Sequence, residues 1–152
     1  MVIVNSLMAT LHHLSAFTVV ACLAYEFIAY RKSLTVAEAR RIQSVDGWYG
    51  ISAGAVLVAG LLRVFFFEKG ANYYGANTIF WIKMGLFVIV GLLSIYPTIR
   101  YIRWNPVLKE GNSIEVPDAE YRRMRLFLWL ELVGLALILF AAPAMARGIG
   151  VF

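Results

Sequence analysis

Cysteine, histidine and acidic side chains are scarce in this chain, and each scarcity removes a class of function. Cys22 is the only cysteine, so intramolecular disulfides are excluded, and its place in an apolar run reads as a structural thiol. The two histidines, His12 and His13, are adjacent. No HExxH, no His-Cys-Asp metal pattern, no P-loop and no nucleotide-binding glycine fingerprint in a strand–helix setting is present. Asp46 and Glu68 fall near opposite faces of the predicted membrane, which leaves paired-carboxylate chemistry unsupported. Lys and Arg are missing from Met1 to Leu11. The start of the chain therefore lacks the charged region of a cleavable signal, and its first apolar stretch is predicted to be retained as a span. No internal repeat and no low-complexity tract stands out.

Apolar residues are what the chain has in abundance. They make up 61% of its 152 residues, with a mean hydropathy of +0.74, against the roughly half-apolar usage of soluble domains. They gather into four runs, approximately residues 4–30, 49–67, 78–99 and 126–146. Each is long enough to cross about 30 Å of hydrocarbon at 1.5 Å per residue. The expected fold is all-α: one domain over residues 1–152, an integral membrane four-helix bundle.

The formal net charge of +5 is placed in a way that argues against nucleic acid. Arg31, Lys32, Arg40 and Arg41 lie in the first connection. Arg100, Arg103, Lys109, Arg122, Arg123 and Arg125 lie in or beside the third. The second connection has Lys69 alone. Both basic connections are short and fall on the same side of a four-span protein, so the positive-inside rule predicts an N-out/C-out topology. Some of this charge is expected to touch anionic lipid.

Local signals refine the picture. Thr35 and Glu38 form a capping-box pattern ahead of Arg40 and Arg41. Asp46 before Gly47-Trp48-Tyr49 reads as the cap and interfacial anchor of the second span. Gly50, Gly54, Gly60, Ala53 and Ala59 in that span suit close helix contact in lipid. Glu68-Lys69-Gly70 is expected to end it. Tyr73, Tyr74 and Trp81 at one end of the third span, and Tyr96, Tyr101 and Trp104 at the other, read as aromatic belts. Pro97 and Pro143 are expected to bend the third and fourth helices near their ends.

Ionisable groups at membrane depth are costly and often functional. Six stand in or at the spans: His12, His13, Glu26, Arg63, Lys83 and Glu131. By helix rise His12 lies roughly 10 Å into the first span, and Arg63 and Lys83 lie at similar depth in the second and third. Three basic or metal-binding side chains thus converge on the outer third from three helices, which points to an anion or an anionic cofactor. Adjacent histidines diverge by about 100° on a helix, so His12 and His13 cannot both look inward. Haem would need one of them with a different axial partner or an open position. Lys83, if deprotonated, is a candidate second metal ligand, and Arg63 suits a propionate. Histidines that merely hydrogen-bond between helices, or a site for quinone or lipid, stay open beside haem. Glu26 and Glu131 sit toward the basic end, where an ion pair with Arg31, Arg100 or Arg125 is expected and a proton path is the alternative.

The stretches Leu11–Phe17, Asp46–Gly50, Gly60–Phe65, Glu68–Gly70, Phe80–Lys83 and Ser94–Ile99 are similar to a bacterial family of small predicted membrane proteins of unknown function, over roughly Leu7 to Asn105. More remotely, the chain resembles the HemJ-type protoporphyrinogen oxidases, small membrane proteins that bind haem b. His12 follows Leu11 early in the first helix, and Lys83 follows Trp81 by two positions in the third. Arg40-Arg41-Ile42 occupies the place of that family's basic stretch, and Arg125 to Glu131 looks like its Arg-Phe to Asn-Glu region. The resemblance implies haem b held by or near His12 and Lys83, oxidation of a porphyrinogen or another reduced substrate, and electrons passed to a quinone or other respiratory acceptor. His13, the Asp46–Gly50 segment and Tyr96–Thr98 depart from the oxidase pattern.

Three functions follow as expectations. The first is a haem-binding redox protein of the bacterial inner membrane, with His12, His13, Arg63 and Lys83 as cofactor-binding candidates. The second is a non-catalytic accessory or assembly subunit of a larger membrane complex, or a homo-oligomer. The third is a lipid or small-anion binding or carrier protein built on Arg63 and Lys83.

Overall fold

The computed structural model describes residues 2–67, 71–147 and 149. Four long helices dominate it: α1 (Val2–Ala29), α2 (Val36–Leu62), α4 (Thr78–Arg103) and α6 (Asp118–Ala146). All four are long and apolar enough to cross a membrane. Two five-residue helices, α3 (Ala71–Gly75) and α5 (Asn105–Lys109), and two short strands, β1 (Ser33–Leu34) and β2 (Ile114–Glu115), fill the connections. Glu68-Lys69-Gly70, the expected end of the second span, lies outside the described residues.

The second helix is longer than its apolar run. Thr35 caps it as the sequence predicts: its side chain accepts from the Glu38 amide at 3.3 Å, and Glu38 reaches back to the Thr35 amide at 2.9 Å. The helix then continues through Asp46 and Gly47 without interruption, so Asp46 is not a cap. Its carboxylate instead accepts from the Thr98 hydroxyl at 2.8 Å, tying α2 to α4. α4 likewise runs through buried Pro97 to Arg103, and α6 runs through Pro143. Beyond Leu62 the backbone widens into a π-helical turn over Arg63–Phe67.

α1 packs against α2 and α4 against α6, whereas α2 and α4 meet only sparsely. The bundle is therefore two helix pairs with a seam between them. At the arginine-rich end the seam is stapled. β1 and β2 pair antiparallel, Ser33 opposite Glu115 and Leu34 opposite Ile114. The Val116 amide donates to the Lys32 carbonyl at 2.7 Å, and Lys32 pairs with Asp118 at 2.8 Å. Beneath the staple, Tyr30 stacks on Trp104 and Tyr121, with ring centroids 6.2 and 5.7 Å away.

That aromatic group corrects the reading of an interfacial belt at this end. Tyr101 and Trp104 are 1% and 7% exposed and belong to the core, while Trp48, Trp81 and Trp129 turn outward. The glycines also divide unexpectedly. Gly50 and Gly54 have open space where a side chain would be, so they make no close helix contact; Gly60 and Gly134 do.

Candidate functional site

His12 and His13 part company as helix geometry requires. His13 is exposed, and its Nδ1 meets the Ala9 carbonyl of its own helix at 2.7 Å. His12 faces α2, with Nδ1 3.1 Å from the Val56 carbonyl. A carbonyl only accepts, so in the neutral ring Nδ1 carries the proton and Nε2 keeps its lone pair. The ring lies flat over the next turn of α2: a Cβ on Gly60 would stand 3.2 Å from His12 Cε1. Glycine at position 60 is thus what lets the imidazole settle against the helix.

His12 forms one wall of a cavity of about 110 Å³ at the open end of the seam. Arg63 and Lys83 line the same cavity, with Tyr74, Phe80 and Phe87 among its apolar walls. Arg63 opens the π-helical turn. Such turns are rare and concentrate at functional sites, because the extra residue per turn re-aims the side chains that follow. Lys83 comes from α4, whose start is fixed by Asn77. That fully buried side chain accepts from the amides of Ile79 at 2.9 Å and Phe80 at 3.2 Å. No described carboxylate pairs with Lys83. The structure therefore brings together His12, Arg63 and Lys83 and leaves His13 outside. Asn77, Gly60 and Tyr74 went unnoticed as contributors. Asn immediately before an apolar helix is a readable cap signal, while the other two require the fold.

Haem b, the group implied by the oxidase resemblance, finds suitable donors here: a carbonyl-anchored histidine with Nε2 available, a lysine, and an arginine for a carboxylate. The space does not match. The cavity is smaller than the ~150 Å³ apolar cavity that holds a single benzene, so a macrocycle does not fit this packing of the seam. Among the described residues no group of three or more His, Cys, Asp or Glu is arranged to hold a metal ion.

The remaining membrane-depth groups lie elsewhere. Glu26 and Glu131 are 2% and 1% exposed in the bundle interior. The expected ion pair with arginine is not formed. Glu131 accepts from the Tyr49 hydroxyl at 3.0 Å. Arg100 binds Glu120 instead, through Nε at 2.7 Å. Arg125 donates to the Phe27 carbonyl and covers the Phe27 ring.

Four apolar helices in two pairs, with a cavity lined by His12, Arg63 and Lys83 at one end of their seam, define a multi-pass membrane protein. Its family is shown by sequence: the chain belongs to the family described as Predicted membrane protein (DUF2214), whose model matches residues 4–150. No curated protein and no solved structure matches the chain. The likeness to the HemJ-type oxidases thus rests on the residues quoted for it alone.

Proposed function

We propose that this protein binds the acidic head of an amphiphile at the seam between its helix pairs, with the apolar body of the ligand lying toward the lipid. The observation that carries this reading is the convergence of His12, Arg63 and Lys83 on one small cavity with otherwise apolar walls. An ammonium such as that of Lys83, which no described carboxylate meets, is costly at membrane depth, and a carboxylate or phosphate accepts from both a guanidinium and an ammonium. The volume suits a head group. The setting is the bacterial inner membrane, with the arginine-rich end in the cytoplasm and both termini outside, a reading supported by the distribution of Lys and Arg.

The test is native mass spectrometry of the full chain from nanodiscs holding anionic and zwitterionic phospholipid, comparing the parent with Arg63→Gln and Lys83→Gln. The parent should retain an acidic amphiphile that both variants lose. Equal retention by all three would refute the reading.

A haem b protein is the second reading, favoured by the tautomer of His12 and by the oxidase resemblance. It requires the seam to open beyond its present width. Haem would supply one-electron redox chemistry, His12 and Lys83 would hold it, and Arg63 would meet a propionate. An absorption spectrum of the purified protein with a Soret band and near-stoichiometric haem b would move the assignment there. Absence of any bound ligand, with stoichiometric co-purification of another membrane protein, would support an accessory subunit instead.

A further inference from the structure

Toward the stapled end of the bundle, buried polar atoms gather without partners. Glu26 Oε1, Glu131 Oε1 and the hydroxyls of Tyr30 and Tyr101 have no hydrogen-bond partner among the described residues. All four residues are at most 2% exposed. They come from α1, the segment just after it, α4 and α6, so the interior of the fold holds the cluster rather than one helix. The Glu26 carboxyl lies within electrostatic reach of Glu131 and Asp46, and the Tyr101 hydroxyl faces Glu26. Native structures rarely leave such atoms unsatisfied; internal water is the usual answer where the site is polar.

The groups around the two glutamates are known from every side. α1 brings Cys22 and the segment just after it Tyr30, and α2 brings Asp46 and Tyr49. α4 brings Tyr96 and Tyr101, with Arg100 near Tyr30 but held by Glu120. α6 brings Tyr121 beside Tyr30. No described cation forms an ion pair with either glutamate. Two buried carboxyl groups within electrostatic reach of one another, with no cation paired to either, cannot both ionise at low cost. What relieves them is a proton.

We propose that Glu26 and Glu131 form an internal proton-exchange site, hydrated by water held between their free oxygens and the hydroxyls of Tyr30 and Tyr101. In each exchange an O–H bond of one carboxyl breaks as one forms on that water, and another O–H bond of the water breaks as one forms on the other carboxylate, so the water is regenerated and no electron moves. Tyr49 positions Glu131 through its 3.0 Å bond. The site is independent of the amphiphile cavity, which lies at the other end of the seam.

The experiment is attenuated-total-reflection infrared spectroscopy of the full chain in nanodiscs, titrated in H2O and D2O, with and without 13C-glutamate labelling. A carboxyl C=O band is expected that shifts on labelling, shifts in D2O, and titrates apart from the exposed Glu38, Glu110 and Glu115. Glu26→Gln or Glu131→Gln should remove it, and Tyr101→Phe should move its position while leaving its labelling shift intact. If the unmodified protein shows no such glutamate band, the proposal fails without recourse to any variant. It also fails if the band persists unchanged in both glutamine variants, or if its position is indifferent to both Tyr101→Phe and D2O.

Discussion

Gly134→Ala should loosen the α4–α6 pair. A methyl group at position 134 would overlap Val90 Cγ2, inside the 3.0 Å that real Cβ atoms keep, whereas carbon atoms rest at about 3.5–4.0 Å. Val90 is buried, 4% exposed, and a β-branched side chain in a helix has one strongly preferred rotamer. It cannot swing aside cheaply, so the helices must separate or Val90 must leave its rotamer. Overpacking of this kind costs about 1–3 kcal/mol. Against it stands the better helix propensity of alanine, up to about 1 kcal/mol in a helix interior. Set against the middle of that range, this leaves an expected net loss of about 1 kcal/mol, or roughly five-fold in the folded-to-unfolded ratio. Reversible unfolding in mixed detergent micelles, followed by circular dichroism, measures it. Gly91→Ala is the internal control, because nothing lies within 4 Å of its added methyl group, and it should not destabilise. Val90→Ala combined with Gly134→Ala should recover about 1–2 kcal/mol relative to additivity. A Gly134→Ala protein as stable as the parent, or strict additivity in the double variant, would refute this account of the packing.

Other outcomes follow from the same geometry. His12→Ala should weaken ligand retention and cost about 0.5–1.5 kcal/mol for the bond to the Val56 carbonyl, while His13→Ala should be neutral in both assays. Gly60→Leu should displace the His12 ring and abolish retention with little effect on the helix content seen by circular dichroism. Asn77→Ala removes an N-cap worth about 0.5–2 kcal/mol; amide exchange should accelerate at Ile79 and Phe80, and ligand retention should fall. Lys32→Ala breaks an exposed ion pair with Asp118 that solvent screens, and the same micelle unfolding should show no measurable change in stability.

Much of the architecture was legible because hydrocarbon is an unforgiving solvent. Apolar length alone located all four helices, and Thr35 with Glu38 located the start of the second. Asp46-Gly47 misleads because a short acid before a glycine looks like a helix entry; α2 instead continues through both, and the Thr98 hydroxyl across the seam donates to the carboxylate. The cavity was half visible. Counting residues gave His12, Arg63 and Lys83 a common depth, but depth does not say which way a side chain faces. Choosing between the histidines took the Val56 carbonyl and the bare backbone of Gly60. The π-helical turn that carries Arg63 has no signature in residue types, since it is a hydrogen-bonding choice of the backbone. Tyr49 and Tyr101 looked like belt aromatics for a related reason: an amphipathic ring serves equally at an interface or beside a buried carboxyl.

The staple between β1 and β2 has a mechanical consequence. It ties together two connections that lie about eighty residues apart in the chain, Ser33 to Glu115 and Leu34 to Ile114. At the cavity end the chain itself links the pairs, since α2 runs through the π-helical turn and α3 into α4. The pairs are thus held at both ends, and one pair cannot slide lengthwise past the other without breaking the strand pairing. The register that brings His12 and Arg63 to the height of Lys83 is locked from the far end of the molecule.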